Sequence, residues 1–471
     1  MVARTQKTIF HKTIEFDRVH SLPDEDLRYV IQTAQNLGLQ VMLKPHVNVL
    51  DGCSPEEKFR GNIGRDFSAC DWKTWFAAYQ HMMHLYAKLA WDTGVVQFCV
   101  GVELSEAAKQ EAHWRETIQR IRSVYQPQHG RLTYAANFGT EANGIKWWNE
   151  PGLDFIGVDA YYEMTDRDNP TVTDLEAAWT RTGGGIDQMT AISKAAGKQV
   201  LITELGWMAS NGANQRPYDD FCGELDQEEQ RACYQATVNV FESLKPEWLA
   251  GVFWYTWGSD PYDGGPSDDG YSPYDKPAED VIRTWCKVLP RPHRTTPSPP
   301  WPEVPHEHVV YRNGNFGAGW CAEVWHSSDG EELDLKFPDP NDDSKSVIKA
   351  SSLQAWVAVS FVRSKSLLPQ HFQWLTFRIR GPKDQPSIHL WIKLIEHLDG
   401  SDPSQLELRP RPIDDVRYIA GGTIGSGEWK EVRIPLSHLN GVGRTLDAVY
   451  LQDRCGGGVS KVWIDDVRFV W

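Results

Sequence analysis

The sequence predicts an α/β fold, a (β/α)8 TIM-type barrel that lacks its first two strands, followed by an all-β jelly-roll sandwich. Three observations lead to this prediction. The chain has 471 residues, whereas a single hydrophobic core stops growing at roughly 250–300 residues. Helical and strand patterns alternate in the first part of the chain, which is typical of parallel βα units. Strand patterns dominate after a proline-rich stretch, which is typical of sandwiches and jelly rolls.

The proline-rich stretch divides the chain into two predicted domains. Residues 288–306 read VLPRPHRTTPSPPWPEVPH, with seven prolines, and this composition favours an extended, semi-rigid linker. We therefore expect a barrel domain over residues 1–287 and a β-sandwich over residues 307–471. The second region contains strand-like runs such as WLTFRIRG, WKEVRIPL and KVWIDDVRFVW, which are separated by turn-forming residues.

Six hydrophobic strands are predicted in the first domain, with helical patterns between them. A doubly wound sheet and a closed barrel both fit this alternation. No glycine-rich phosphate loop follows the first of these strands, which weakens a nucleotide-binding interpretation. The six strands are LQVMLKPHV (39–47), VVQFCVGVEL (95–104), RLTYAAN (131–137), DFIGVDAYY (154–162), QVLITELGW (199–207) and AGVFWYTWG (250–258).

Polar and aromatic residues lie at the carboxyl ends of these strands, where the active sites of barrel enzymes are found. A carboxylate at the end of a hydrophobic strand is costly to desolvate unless it is paired or used in catalysis. Two glutamates three strands apart are therefore candidates for the two carboxylates of a glycosidase, although each alone could be a salt-bridged strand end. The residues at these ends are His46, Glu103, Asn137, Tyr161, Glu204 and Trp257.

Charge and composition limit the classes of partner. The net charge of −16 and the sequence pI of about 5.4 argue against nucleic acids and anionic membranes, whose negative charges would be repelled. The chain contains 21 tryptophans. Flat rings suit the apolar faces of sugars, but they also fill the cores of large barrels. A neutral polysaccharide or oligosaccharide is the expected partner, and we expect a monomer.

Several short motifs together resemble glycoside hydrolase family 113, a family of endo-β-1,4-mannanases in a clan of retaining barrel enzymes. The resemblance extends over about residues 20–287 and implies that Glu103 is the acid/base and Glu204 the nucleophile. Val102 stands where the family usually has threonine. The C-terminal region resembles the carbohydrate-binding jelly rolls that accompany many such enzymes. The barrel motifs are LKPHV (43–47), GVEL (101–104), LTYAAN, IGVDAYY, TELGW (203–207) and GYSPYDKPAEDV (270–281).

Further substrate-binding residues follow from the resemblance and from strand geometry. Lys44 and His46 alternate on one strand, so both side chains can face the cleft. Asn137 could bond a sugar hydroxyl, and Tyr161 could bond the nucleophile. Trp254 and Trp257 resemble the aromatic floor under the cleaved sugar, with core packing as the alternative for both. The acidic loop 258–270 lacks EF-hand spacing, and we expect neither a metal nor a cofactor.

The number of strands is two short of the eight that a barrel needs. Enzymes of this clan carry the acid/base on strand four and the nucleophile on strand seven, whereas Glu103 and Glu204 end the second and fifth predicted strands. We therefore expect that the sequence lacks the N-terminal part of the barrel. The sheet should then be open, with LQVMLKPHV and AGVFWYTWG as its edges. The protein would be secreted if the native N-terminus carries a signal peptide that this chain lacks.

Three functions stay open at this point. The first is a retaining endo-β-1,4-mannanase, and the second is an enzyme of the same clan that acts on a β-glucan. The third is a non-catalytic carbohydrate-binding protein, which the incomplete barrel favours and the presence of both Glu103 and Glu204 disfavours.

Overall fold

The computed structural model describes residues 2–16, 21–50, 58–219, 224–258, 264–266, 268–287, 307–325, 332–353, 358–367, 372–383, 385, 388–396, 406–407, 410–424, 427–441, 445–454 and 459–470. The chain divides into two compact units. The first comprises Met1–Asp219, Asp226–Ser259 and Gly270–Pro290, and the second comprises Asp220–Leu225, Asp260–Asp269 and Arg291–Trp471. The predicted linker, residues 288–306, lies outside the described residues.

Parallel strands form the centre of the first unit. In chain order they are β1 (Val2–Gln6), β2 (Met42–Leu43), β3 (Pro45–Val49), β4 (Gln97–Val102), β5 (Arg131–Asn137), β6 (Phe155–Asp159), β7 (Val200–Leu205) and β8 (Leu249–Trp254). Strands β2 and β4 to β8 make one six-stranded sheet in that order, so neighbours in the sheet are also neighbours along the chain. Asp159 lies opposite both Asn137 and Glu204 in the register, which brings the carboxyl ends of three strands together.

One strand was not predicted. Strand β1 pairs in parallel with β3, so the carboxyl part of LQVMLKPHV has a partner that was not predicted. The six-stranded sheet itself runs from β2 to β8, which are the two predicted edges. The sequence of β1, VARTQ, has no apolar run that would identify a strand. Two of its buried positions are occupied by the polar residues Thr5 and Gln6. The side-chain oxygen of Gln6 accepts a hydrogen bond of 2.8 Å from Trp75 Nε1, which satisfies its polar group inside the core. Within the described ranges β1 and β8 are not paired with each other, so the sheet is open between them.

Helices follow most of the strands. They are α1 (Asp24–Asn36), α2 (Ala69–Asp92), α3 (Ser105–Ala108), α4 (Glu111–Val124), α5 (Thr140–Gly144), α6 (Val172–Thr180), α7 (Gly185–Ala196), α8 (Gln227–Leu244) and α9 (Pro277–Trp285). The longest described helix, α2, begins after a capping box between Ser68 and Asp71, which satisfies backbone N–H groups of its first turn. Its buried face carries an aromatic cluster in which Trp75 stacks on Tyr79 at 4.8 Å. None of the described helices is long and apolar enough to cross a membrane.

The second unit is a β-sandwich of antiparallel strands. One sheet has seven strands and the other has six. Alternate side chains face a shared core, as Leu375, Phe377 and Ile379 do on one strand and Leu390 and Ile392 on another. The strands are β9 (Glu307–Arg312), β10 (Asn315–Phe316), β11 (Trp320–Trp325), β12 (Glu332–Asp339), β13 (Asp342–Leu353), β14 (Ala358–Leu367), β15 (Trp374–Arg380), β16 (Leu390–Glu396), β17 (Leu406–Glu407), β18 (Arg411–Pro412), β19 (Lys430–Pro435), β20 (Leu446–Asp453) and β21 (Val459–Val470).

Candidate active site

The two glutamates that the sequence singled out lie at the carboxyl ends of β4 and β7. Glu103 directly follows β4, and its backbone N–H donates a hydrogen bond of 2.8 Å to the carbonyl of Ala135. Its φ angle of +50° is in the left-handed region, which non-glycine residues seldom adopt outside functional or strained positions. Glu204 belongs to β7 and interacts electrostatically with Glu103.

Glu204 is held by side chains from two other strand segments. Lys44 Nζ donates to Glu204 Oε1 at 2.6 Å and to both carboxylate oxygens of Asp159, at 2.9 and 3.0 Å. The Tyr161 hydroxyl donates to Glu204 Oε2 at 2.9 Å. Asp159 also accepts a hydrogen bond of 2.7 Å from Thr203 Oγ1. Both oxygens of Glu204 therefore have a donor, which fixes the orientation of the carboxylate.

The donors around Glu204 keep their protons. Burial lowers the pKa of Lys44, but the carboxylates of Asp159 and Glu204 raise it by more, so the pKa lies above its ordinary value. Burial, followed by the charge of Glu204, raises the pKa of Tyr161 far above that of a free phenol. Glu204 is thus bonded to one cation and one neutral hydroxyl, and both act as hydrogen-bond donors to it.

Glu103 has a different environment. Its Oε2 accepts a hydrogen bond of 2.9 Å from Arg60 Nη1. Arg60 is itself oriented by the Val47 carbonyl at 3.3 Å and by Asn48 Oδ1 at 3.0 Å. Burial raises the pKa of Glu103, Arg60 opposes this rise and Glu204 adds to it, and the result is a raised pKa. This carboxyl group therefore tends to hold a proton, which a general acid requires.

His46 and Asn137 lie on β3 and at the end of β5, beside these groups. His46 is buried, and neither of its ring nitrogens has a hydrogen-bond partner within the described part of the chain. Burial, together with the Arg60 and Lys44 cations, lowers the pKa of His46 well below its ordinary range. Asn137 is half-buried. A neutral imidazole has one donor and one acceptor nitrogen, and neither nitrogen of His46 is used by a described residue.

The two tryptophans of the last strand segment are placed differently. Trp254 packs against Tyr234 of α8 at 4.9 Å and Trp285 of α9 at 5.7 Å. This position in the layer between sheet and helices favours the packing role over the sugar-binding role. Trp257 is 44% exposed, and its ring contacts Tyr274 at 6.0 Å.

Tyr255 is the aromatic residue of this segment that contacts the Glu204 network, and it was not among the predicted site residues. Its ring meets that of Tyr161 edge-on, with 6.0 Å between centroids. Consecutive residues of a strand face opposite sides of the sheet, so Trp254 and Tyr255 cannot both face the cleft. That alternation is the signal that could have identified Tyr255.

Arg60 and Asp159 were also missed. Arg60 lies in a 3-10 turn between β3 and α2, where no periodic pattern marks it. Asp159 is fully buried at the end of β6, and a buried aspartate in a hydrophobic strand is a recognisable signal for a charged partner. No described group of three or more His, Cys, Asp or Glu side chains is arranged to hold a metal ion.

The comparisons with known proteins agree on the first unit. The profile of Glycoside Hydrolase Family 113 matches residues 1–276. Two solved structures, one of a GH113 β-1,4-mannanase and one of a complex of a GH113 β-1,4-mannanase, each show 28% sequence identity and a TM-score of 0.52. Each alignment covers 61% of this chain and 86% of the solved chain. No curated protein matches the chain.

Two further solved structures are similar at lower TM-scores. The GH113 β-mannanase AaManA from Alicyclobacillus acidocaldarius, in complex with ManMIm, has 28% identity and a TM-score of 0.49, and the alignment covers 61% of this chain and 85% of that one. A family 29 carbohydrate-binding module from Piromyces equi has 10% identity and a TM-score of 0.24, with 35% of this chain and 89% of that chain covered.

The profile match spans more than half of the 471 residues and includes both strand-end glutamates. Two carboxyl groups in unlike environments, at the carboxyl edge of a parallel sheet, are the arrangement that glycoside hydrolysis uses. The chain therefore belongs to glycoside hydrolase family 113.

Proposed function

We propose that this glycoside hydrolase is an endo-β-1,4-mannanase that acts with retention, with Glu103 as acid/base and Glu204 as nucleophile. The contrast between the two carboxyl groups carries the proposal. Glu204 accepts hydrogen bonds from Lys44 and Tyr161 on its two carboxylate oxygens, which fix the orientation that a nucleophile needs. Burial favours the protonated form of Glu103. The relatives named as β-1,4-mannanases support mannan as the substrate.

The reaction takes two steps in this proposal. In the first, Glu103 gives its proton to the glycosidic oxygen while Glu204 attacks the anomeric carbon, so the leaving sugar departs and a glycosyl ester forms on Glu204. In the second, ionised Glu103 takes a proton from water, and that water attacks the anomeric carbon and breaks the ester. Two inversions at the same carbon give net retention.

The charges of the site are balanced through both steps. Lys44 is paired with Asp159 and Glu204, and Arg60 is paired with Glu103. In this proposal Asp159 and Glu204 carry the negative charges before reaction, and Glu103 carries the proton. In the intermediate Glu204 is a neutral ester and Glu103 is ionised beside Arg60. The number of negative charges in the buried site is the same in both states. A charge shift between two prepared positions needs little reorganisation of the surroundings.

Four other residues are assigned to substrate binding. His46 and Asn137 are proposed to bind hydroxyl groups of the sugar that is cleaved. The ring nitrogens of His46 have no partner among the described residues, and Asn137 ends β5 opposite Asp159. Tyr255, next to Tyr161, is the aromatic contact at the end of β8. The exposed Trp257 is a candidate for a sugar contact at the rim. Lys44 acts on Glu204 rather than on the sugar.

A panel of polysaccharides tests the proposal. The chain should release reducing ends from β-1,4-mannan with an early fall in viscosity, which marks endo action, and the first product seen by proton NMR should be the β-anomer. The Glu103→Gln and Glu204→Gln variants serve as inactive controls. Preference for a β-glucan would show that mannan is not the substrate. An α-anomer as first product would refute retention, and binding without any hydrolysis would indicate a non-catalytic protein.

A further inference from the structure

Another buried carboxyl group, that of Glu141 at the start of α5, interacts electrostatically with Glu103. Its Oε1 accepts a hydrogen bond of 2.6 Å from the Tyr134 hydroxyl, and its Oε2 accepts one of 2.6 Å from Ser105 Oγ. The backbone N–H of Asn137 donates to the same Oε2 at 3.3 Å. Glu141 is only 8% exposed. Its side chain thus joins α5, β5 and the residues that follow β4.

These bonds hold the backbone on the carboxyl side of Glu103. The Tyr134 hydroxyl, which donates to Glu141, accepts a hydrogen bond of 2.9 Å from the N–H of Leu104. Ser105 is bonded directly to Glu141. The two residues after Glu103 are therefore both tied to one carboxylate. Because Glu103 has a positive φ, its backbone needs such support to keep this conformation.

The hydrogen bonds of Glu141 suit its ionised form. All three partners donate to it, and a protonated carboxyl group would have to donate one bond in return. Burial raises its pKa to about 7, while the bonds from Ser105 and Tyr134 oppose the rise and the charge of Glu103 adds to it. By reciprocity, an ionised Glu141 disfavours ionisation of Glu103. The other charged groups acting on Glu103 are Arg60, Glu204, Lys44 and Asp159.

We propose that Glu141 is a positioning residue for the acid/base, which acts on Glu103 through Tyr134 and Ser105 and through its own negative charge. The proposal rests on the assignment of Glu103 as acid/base. Glu141 does not touch the substrate. It keeps the strained backbone of Glu103 in one conformation, and its charge helps Glu103 to retain the proton that the first step consumes.

Two variants separate the two effects. Glu141→Gln removes the negative charge, so Glu103 should ionise more easily and the basic limb of the kcat/KM profile should move to lower pH. Tyr134→Phe keeps the carboxyl group of Glu141 and the aromatic ring but removes the bridge to Leu104. It should lower kcat/KM about 10- to 100-fold on aryl mannosides with poor leaving groups, as displacement of a catalytic group does. The loss should be smaller with dinitrophenyl leaving groups, which need no proton.

Glu229 provides a matched control. It is equally buried and also accepts three hydrogen bonds, from the N–H groups of Gly212 and Asn214 and from the side-chain amide of Asn214. Glu229→Gln should lower the melting temperature as Glu141→Gln does, but it should move neither the pH limb nor the ratio between leaving groups. The proposal fails if the Glu141 and Tyr134 variants lose equal factors of kcat/KM with poor and good leaving groups and the basic limb of the pH profile does not move. Glu141 would then have only a structural role.

A titration that needs no turnover keeps this proposal separate from the proposed function. Carbon-13 NMR of protein labelled at the glutamate side chains follows the ionisation of Glu103, and Glu103→Gln identifies its signal. The pH midpoint of the ionisation of Glu103 should be lower in Glu141→Gln than in the wild type, and it should be unchanged in Glu229→Gln. If the wild-type chain hydrolyses no mannan, the proposed function fails. The midpoint of the Glu103 titration still tests whether the charge of Glu141 acts on Glu103. An unchanged midpoint in Glu141→Gln would overturn the proposal.

Discussion

At the scale of single residues, Arg60 is the cation that faces Glu103, and it opposes the rise in the pKa of this carboxyl group. Arg60→Met should therefore raise that pKa further. Because the acid/base must be protonated for the first step, activity is lost as the pH rises through its pKa. The basic limb of the kcat/KM profile should accordingly move to higher pH in Arg60→Met.

The control for this prediction is Arg60→Lys, which keeps the positive charge and should move the limb less. The direction is opposite to that expected for Glu141→Gln, because one variant removes a cation and the other an anion. A basic limb that moves to lower pH in Arg60→Met would show that Glu103 is not the group that titrates there.

Several residues of the site could be predicted from the sequence because they continue a strand pattern. Glu103 and Glu204 end hydrophobic runs, and Lys44 and Tyr161 lie on strands whose ends meet. Arg60 could not be predicted, since it reaches the site from an irregular segment whose position depends on the whole fold. Trp254 was included because it resembles the aromatic floor under the cleaved sugar, and its packing against α8 and α9 favours the alternative of core packing.

At the scale of secondary-structure elements, the close approach of β7 and β8 depends on Gly206. A Cβ atom at this position would lie 1.7 Å from the carbonyl oxygen of Tyr255, a backbone atom that cannot move aside by rotation. Gly206→Ala should displace the end of β8 and with it the contact between Tyr255 and Tyr161. We expect a loss of about 1–3 kcal/mol in the free energy of unfolding and a marked fall in kcat.

Gly251 on β8 is the matched control for Gly206. Its added Cβ would meet only Leu201 Cδ1, at the ordinary contact distance of 3.5 Å. Gly251→Ala should change neither the midpoint of chemical unfolding nor kcat by much. If Gly206→Ala is as stable and active as Gly251→Ala, the close approach of the two strand ends does not matter for the site.

Strand β1 is an element that a hydrophobic pattern could not predict. The six predicted strands have apolar runs, and the structure contains all of them in the predicted order. In β1 the buried positions include Thr5 and Gln6, whose polar groups are satisfied by tertiary contacts such as the bond from Trp75. A strand that is stabilised by pairing and side-chain hydrogen bonds carries no periodic signal in its own five residues.

At the scale of the whole molecule, the net charge of −16 bears on the class of polysaccharide. A neutral glycan carries no charge on which the electrostatic field of the acidic protein could act, so salt should have little effect on its hydrolysis. Between about 10 mM and 500 mM NaCl, over which the Debye length falls from about 30 Å to a few Å, kcat/KM on soluble mannan should change less than about twofold. A strong salt dependence would indicate a charged substrate.

Azide rescue distinguishes the separate roles that are proposed for Glu103 and Glu204. With dinitrophenyl β-mannosides, Glu103→Ala still forms the glycosyl ester on Glu204. Azide then attacks in place of water and needs no base, so activity should recover with a β-mannosyl azide as product. Glu204→Ala leaves space on the α face, and any rescue there should give the α-azide. A β-azide from Glu204→Ala, with no rescue of Glu103→Ala, would show that Glu204 is the acid/base and Glu103 the nucleophile, which is the reverse of the proposal.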